Sequence, residues 1–300
     1  MELDILDRKI ILQLDLDSRQ SAKEMAKKIG SNKDTVNYRM KRLVDSGVIS
    51  RWLARVDTSR FGFSNIKVYI RFQDIDEKKE QEFFDYLGSL REVGWVVQSS
   101  GRWDALFCVW CSSTFSFYRT LAKIMNRFSR NIYEQEIIHN IDWYYYNRKW
   151  LVPDSGAVRG VRYGGEPSRE ALDETDKLIL RELVKDSRKR FTDISGKTGV
   201  SPQNVLSRVK AMRGNGMIAQ YGIDLDYEKL GIIFTKAFIR LHNADGKSLA
   251  TLHAFCAREQ RIFALTTAVG AWDLELEMEV ERVEDMMEII NRIKRAFPDM

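Results

Sequence analysis

The chain has 300 residues, room for two to four compact units, and is 44% hydrophobic and 30% charged with a net charge of +5. That composition fits a soluble globular protein, and no apolar run approaches the length of a membrane-spanning helix. The N-terminus MELDILDRK is acidic and amphipathic, unlike a secretory leader, and three cysteines without framework spacing suit a reducing cytoplasm. The basic excess is compatible with a polyanionic partner without demanding one.

From the start of the chain, Ile5, Leu6, Ile10 and Leu14 lie near helical spacing behind Asp4, a capping residue. A short helix is expected from about Ser21 to Ile29, with Met25 and Ile29 as its apolar contacts. Gly30 then permits a tight turn, and Asn32 caps a third helix whose stripe is Val36, Met40 and Leu43. This is the helix-turn-helix pattern with a supporting helix in front. SRWLARVDTSRFG reads as a strand and hinge.

Beyond the hinge, Ile66, Val68, Ile70 and Phe72 alternate with polar residues as in a strand. A helix over about 76–90 follows, then VGWVVQSS and WDALFCVWC as strands joined at Gly101, a helix over about 114–128 and a closing strand over about 136–144. The order βαββαβ predicts a ferredoxin-like sandwich with helices on one face of one sheet. Cys108 and Cys111 form a C-x-x-C, but three residues apart on a strand they point to opposite faces and are expected to pack. Residues 151–171, rich in Gly, Pro and Arg, read as a linker.

The chain then repeats itself. An offset of 169 residues carries Leu3 to Leu172, Asp17-Ser18-Arg19 to Asp186-Ser187-Arg188, Gly30 to Gly199 and Arg39 to Arg208, without a gap. It also places Gly101-Arg102-Trp103-Asp104 on Gly270-Ala271-Trp272-Asp273. The fold class is therefore α+β: helix-turn-helix domains over 1–60 and 172–229, ferredoxin-like domains over 61–150 and 230–300, and the linker between. Met300 corresponds to Asn131, so the second copy lacks a counterpart of YEQEIIHNIDWYYY, and the natural polypeptide is expected to run further.

The outer face of the third helix has the width of a major groove. In the first copy it offers Lys33, Asn37, Tyr38 and Lys41, flanked by Arg39 and Arg42. In the second it offers Gln203, Asn204, Ser207 and Lys210, flanked by Arg208 and Arg213, with Ser201 as cap and Pro202 at the first helical position. Amide side chains suit adenine edges, and cations suit guanine or phosphate. Leu206 stands where the first copy has Asn37, so the two faces are not expected to read the same bases. The bland reading, a solvated charged helix face, is outweighed because turn chemistry, capping and basic flank agree in both copies.

The third strands also diverge. WDLELEMEV directs Glu275, Glu277 and Glu279 to the open sheet face, where the first copy has Leu106, Cys108 and Trp110. Lys236 and Arg240 are expected to neutralise the acidic stripe, and Leu106 and Trp110 suggest a surface that becomes covered.

Together LDILDRKIILQL, DSRQSAKEMAKKIG, DTVNYRMKRLVDSGVIS and GRWD resemble the Lrp/AsnC family of transcriptional regulators, over nearly the whole chain and twice. The resemblance implies winged helix-turn-helix domains on double-stranded DNA, each followed by a ferredoxin-like (RAM-type) domain that binds an effector and self-associates. It implies small effectors, often amino acids, near Gly101 and Asp104 and near Gly270 and Asp273. A tandem pair, as in some archaeal members, implies that one chain supplies both halves of a dimer. No catalytic residue, metal or cofactor is expected: there is no nucleophile–base pair, metal cluster or phosphate loop. Two alternatives share the architecture, a siroheme-decarboxylase-like enzyme and a non-specific architectural DNA binder. Only His139, His242 and His253 are present to serve the first.

Overall fold

The computed structural model describes residues 3–153, 160–242 and 245–298. The first unit is α1 (Ile5–Leu16), α2 (Ala22–Ile29), α3 (Lys33–Asp45) and the strand β1 (Ile49–Val56). The first sandwich follows as β2 (Ser64–Phe72), α4 (Glu77–Ser89), β3 (Val93–Gln98), β4 (Ala105–Cys111), α5 (Thr114–Phe128) and β5 (Ile132–Tyr145). The stretch expected to be a plain linker contains a short strand, β6 (Val161–Gly164), hydrogen-bonded to β5, and begins on the buried Leu151.

The second unit repeats the plan with α6 (Glu174–Lys185), α7 (Phe191–Thr198), α8 (Pro202–Gly214) and β7 (Ile218–Leu225). A one-turn helix α9 (Tyr227–Leu230) leads to β8 (Ile233–Ile239), α10 (Gly246–Arg258), β9 (Ile262–Val269), β10 (Leu274–Val280) and α11 (Val283–Ala296). The ferredoxin-like reading holds: the first sandwich has strand order β3-β4-β2-β5, and β8, β10 and β9 repeat it in the second.

What a single module does not reveal is how the copies join. β1 and β7 pair antiparallel, and Leu53 faces Gly222, its own counterpart at the repeat offset. A local twofold axis therefore passes through that pair. The contacts around it are reciprocal. The Ser18 and Ser187 hydroxyls meet at 2.7 Å, Arg19 donates to the Ser187 and Lys189 carbonyls, and Arg188 donates to those of Ser18 and Gln20. Each guanidinium also lies over an aromatic ring of the opposite copy, Arg19 over Tyr221 and Arg188 over Trp52. The strands are effectively exchanged: Ile223 and Leu225 complete the core around α1–α3, and Ala54 completes the core around α6–α8.

The sandwiches join in a second way. The first part of β5 pairs with β2, and its last residues, His139 to Tyr145, pair with β9 of the other copy. One sheet thus runs β3-β4-β2-β5-β9-β10-β8, and its open faces fold onto each other. Tyr69 packs edge-on against Phe238 and Trp272 across that contact, and Leu106 is buried beside it, as the expectation of a covered surface required, whereas Trp110, expected to be covered with it, stays 38% exposed. The acidic stripe lies inside. Glu275 accepts from Lys67 Nζ at 2.5 Å, Tyr69 OH at 2.6 Å, Lys236 Nζ at 3.1 Å and Trp272 Nε1 at 3.1 Å. Burial alone would raise its pKa, but Lys67 and Lys236 hold it below the usual carboxylate range. Lys236 also pairs with Glu277, whereas Arg240 donates to the Ala271 carbonyl instead.

Glu279 is buried in a second network that spans the two copies. Arg148, just after β5, reaches Glu279 at 3.0 Å and Asp15 of α1 at 2.5 Å, and Trp150 Nε1 donates to Glu279 at 2.6 Å. Removing one partner from such a site leaves opposite charges desolvated and uncompensated. Arg148→Ala should lower the unfolding free energy by about 3–5 kcal/mol, read from urea denaturation. A loss under about 1 kcal/mol would mean that the pair is solvated in solution.

Candidate nucleic-acid interface

The two candidate reading helices, α3 and α8, are built by the local chemistry that the sequence announces. Ser21 and Glu24 form a reciprocal capping box at α2, and Gly30 ends that helix in the left-handed region at φ 69°. Asn32 Oδ1 accepts from the Thr35 amide at 2.8 Å and opens α3. In the second copy Gly199 takes φ 73°, Ser201 caps α8 and Pro202 occupies its first turn. Val36 and Leu43, and in α8 Val205, Val209 and Met212, turn inward onto the supporting helices.

This packing leaves Lys33, Asn37, Tyr38 and Lys41 exposed on α3, and Gln203, Asn204, Ser207 and Lys210 exposed on α8. Tyr38 stands out at 67% exposure, an aromatic ring that the module's own core does not use. Lys41 and Lys210 are equivalent at the repeat offset and bear the same charge at the same place on each face.

The flanking arginines differ in kind. Arg39 pairs with Asp4 and, at 3.2 Å, with Asp7, and Arg42 pairs with Asp7. Arg208 repeats the clamp on Asp173 at 2.7 Å and Asp176 at 2.9 Å, and also donates to Asn204 Oδ1 at 2.7 Å. The aspartates stand at the start of α1 and α6, so these bridges fix the third helix against the first. Backbone and guanidinium hydrogen bonds hold the Asp4 and Asp173 carboxyls below their usual range. Arg213 faces the junction between copies, 3.4 Å from Asp17 and over the Tyr221 ring.

The loops expected to receive an effector are tied to the sheet. Asp104 Oδ2 accepts from the Phe72 amide at 2.7 Å while its own amide donates to the Ile70 carbonyl at 2.9 Å. Asp273 repeats both bonds on Leu241 and Ile239 at 2.7 and 3.0 Å. Each carboxylate thus extends the hydrogen bonding at the end of the neighbouring strand. Gly101 and Gly270 have positive φ, and a side chain at Gly270 would strike Ile138 of β5 at 2.6 Å. Of the histidines, His139 is exposed on β5 beside a cleft of about 190 Å³, His242 is exposed beyond β8, and His253 on α10 lies 3.0 Å from the Tyr146 hydroxyl. Burial lowers the pKa of His253. Among the described residues no group of three His, Cys, Asp or Glu could hold a metal ion, and no helix is long and apolar enough to cross a membrane. Cys108 and Cys111 are both buried packing residues, and burial pushes the Cys108 thiol up to about 12.

The residues that sequence reasoning left without a role are Ser18, Arg19, Ser187 and Arg188, which join the copies, and Arg148, which pins them. The signal for the first four was present, an identical Asp-Ser-Arg triplet in two copies whose neighbouring residues had otherwise changed.

Comparison with known proteins agrees with this geometry. Residues 172–213 match the AsnC-type helix-turn-helix domain, and residues 3–50 match the winged helix-turn-helix DNA-binding family. A Pyrococcus furiosus protein described as an uncharacterised HTH-type transcriptional regulator is 30% identical over 129 residues, 42% of this chain and 83% of the relative. The HTH-type transcriptional regulator LrpA of Pyrococcus horikoshii is 30% identical over 116 residues, 39% of this chain and 72% of its own length. Among solved structures, the siroheme decarboxylase NirDL aligns over 98% of this chain and 87% of its own, with a TM-score of 0.62 and 11% identity, a likeness of fold. The architecture, both domain matches and the relatives lead to one conclusion: the chain belongs to the Lrp/AsnC family of transcriptional regulators.

Proposed function

We propose that the two helix-turn-helix units act together on one stretch of duplex DNA, so that a single polypeptide does the work of a regulator dimer. The observation that carries this reading is the pair Lys41 and Lys210, exposed at equivalent places on α3 and α8 of two units related by a local twofold axis. Lys33, Asn37, Tyr38 and Lys41 form one reading face, and Gln203, Asn204, Ser207 and Lys210 the other. Arg39, Arg42 and Arg208 are assigned to bracing these helices and Arg213 to the junction, since each already has an acidic partner. The faces differ at Asn37 and Leu206 and at Tyr38 and Ser207, which supports an imperfectly palindromic operator.

An amino-acid-like effector belongs to the same proposal, at the loops holding Gly101 and Asp104 and holding Gly270 and Asp273. Both carboxylates already serve strand ends, so backbone groups of these loops are left to do the recognition. A screen of the amino acids by thermal shift tests this. A rise in melting temperature with none of them would remove the effector from the reading, as would a rise that survives disruption of both loops.

The decarboxylase reading rests on likeness of fold. Addition of an iron tetrapyrrole to the purified chain separates it: a stoichiometric shift of the absorbance bands would favour the enzyme. Titration of a selected and a random duplex at two salt concentrations separates a specific regulator, which keeps its preference at raised salt, from an architectural binder.

With each cation contributing about one phosphate contact, Lys41→Ala with Lys210→Ala should reduce the slope of log K against log salt by about 2 and weaken operator binding at least about tenfold. An unchanged slope in fluorescence anisotropy would reject these two contacts. Arg39→Ala, by contrast, should lower the melting temperature while the fraction that stays folded keeps the wild-type salt slope.

A further inference from the structure

One edge of β5 changes partner partway along. β2 covers it as far as Asn140, opposite Asn65, and β6 takes over at Asp142, opposite Gly164. Where the two part, at Ile141, lies the cleft of about 190 Å³ beside His139, with walls from within residues 57–65, 139–143 and 163–167. The turn Thr58–Arg60, which leads from β1 into β2, forms one of them. Residues 168–170 strap that turn: the Ser168 and Glu170 amides donate to the Ser59 and Arg60 carbonyls at 2.8 Å. Gly164 permits the close approach of β6. It takes φ 96°, and a side chain there would stand 2.9 Å from the Ile141 carbonyl oxygen.

The polar groups of this cleft are acceptors short of donors. Asn140 is 3% exposed; its Nδ2 donates to Asn65 Oδ1 at 2.6 Å, and its own Oδ1 is buried with no partner among the described residues. Asp57 is 5% exposed. Its Oδ1 accepts from the Ser59 amide at 3.1 Å and hydroxyl at 2.6 Å, whereas its Oδ2 has the Arg60 guanidinium only at 3.9 Å. Glu166 adds an exposed carboxylate, and no lysine or arginine is among the lining residues. The Trp143 and Tyr163 rings, stacked at 5.4 Å with 10° between their planes, supply apolar surface and π-electrons. Lys67, 5.9 Å from the Trp143 ring, is neutralised by Glu275. A buried acceptor without a donor is costly, so the cleft favours an occupant that brings N–H groups and positive charge.

We infer that this cleft binds a small aliphatic amine, its ammonium group on Asp57 and Asn140 and its hydrocarbon against Trp143 and Tyr163. The volume sets the size, being below the roughly 300 Å³ at which sites for drug-sized ligands begin. The lining sets the charge. A carboxylate on the ligand would be desolvated with no cation to pair with, so an α-amino acid is disfavoured. Neither the effector reading of the Gly101 and Gly270 loops nor the DNA-binding reading of the helices is needed for this site. The second module has Phe234 where the first has Asn65, so one amine is expected per chain.

The test uses the full chain without DNA, with 1,4-diaminobutane as the probe and ornithine, the same diamine carrying one carboxylate, as its matched counterpart. Calorimetry should give one diamine per chain and binding of ornithine weaker by about tenfold or more. Hydrogen exchange should slow over 57–65, 139–143 and 163–167. Asp57→Asn keeps an oxygen for Ser59 but removes the charge, and should weaken the diamine about tenfold. Glu166→Gln, in solvent, should change it by no more than about twofold. Absence of binding at millimolar diamine, equal affinity for ornithine, or protection confined to other segments would each overturn the site, and all three are read on the unmodified chain. A folded Asp57→Asn variant that binds within about twofold of wild type would do the same.

Discussion

The organisation of this protein depends on the exchange of β1 and β7. Each strand leaves its own helix-turn-helix unit, pairs with its counterpart at a twofold axis through Leu53 and Gly222, and finishes the hydrophobic core of the opposite unit. Backbone pairing with a fixed register does not slip by a residue without turning every side chain to the wrong face. Neither unit can therefore rotate freely on its linker, and the spacing of α3 and α8 is a property of the folded chain rather than of a flexible tether. Ser18, Arg19, Ser187 and Arg188 lock the same junction from the helical side.

Divergence between the copies becomes intelligible inside the sandwich. A symmetric pair of acidic stripes facing one another would repel across a low-dielectric gap. Only the second copy carries Glu275, and Lys67 and Lys236, which are counterparts of each other, both converge on it. The first copy offers Leu106 at the matching place, and there the Trp103 Nε1 has no partner among the described residues while Trp272 donates to Glu275. One chain has thus specialised two surfaces that identical subunits would have had to keep alike.

Much of the plan was legible in the sequence because it rests on local chemistry. Capping residues, left-handed glycines and alternation placed the helices and strands of both modules, and the repeat offset gave the domain order. What was not legible is long-range. The exposed faces of α3 and α8 could be read from periodicity, but whether an arginine on their flank is free or clamped depends on aspartates 32 and 35 residues away. The Asp of the G-x-x-D match looks like a ligand in sequence, and only coordinates show its carboxylate on the amide of a neighbouring strand. Likewise, no pattern within a stretch such as WDLELEMEV says that its glutamates meet the other copy rather than water.

The bridge through Arg148 has no mate among the described residues. Asp15 of α1 is moored by it to the second sandwich, but at the same point on α6 the chain has Val184, half in solvent. The first helix-turn-helix unit is tied at both its strand and its supporting helix, whereas valine in place of aspartate makes no ion pair at the matching point on α6. The two halves of the chain are thus not interchangeable at their supporting helices.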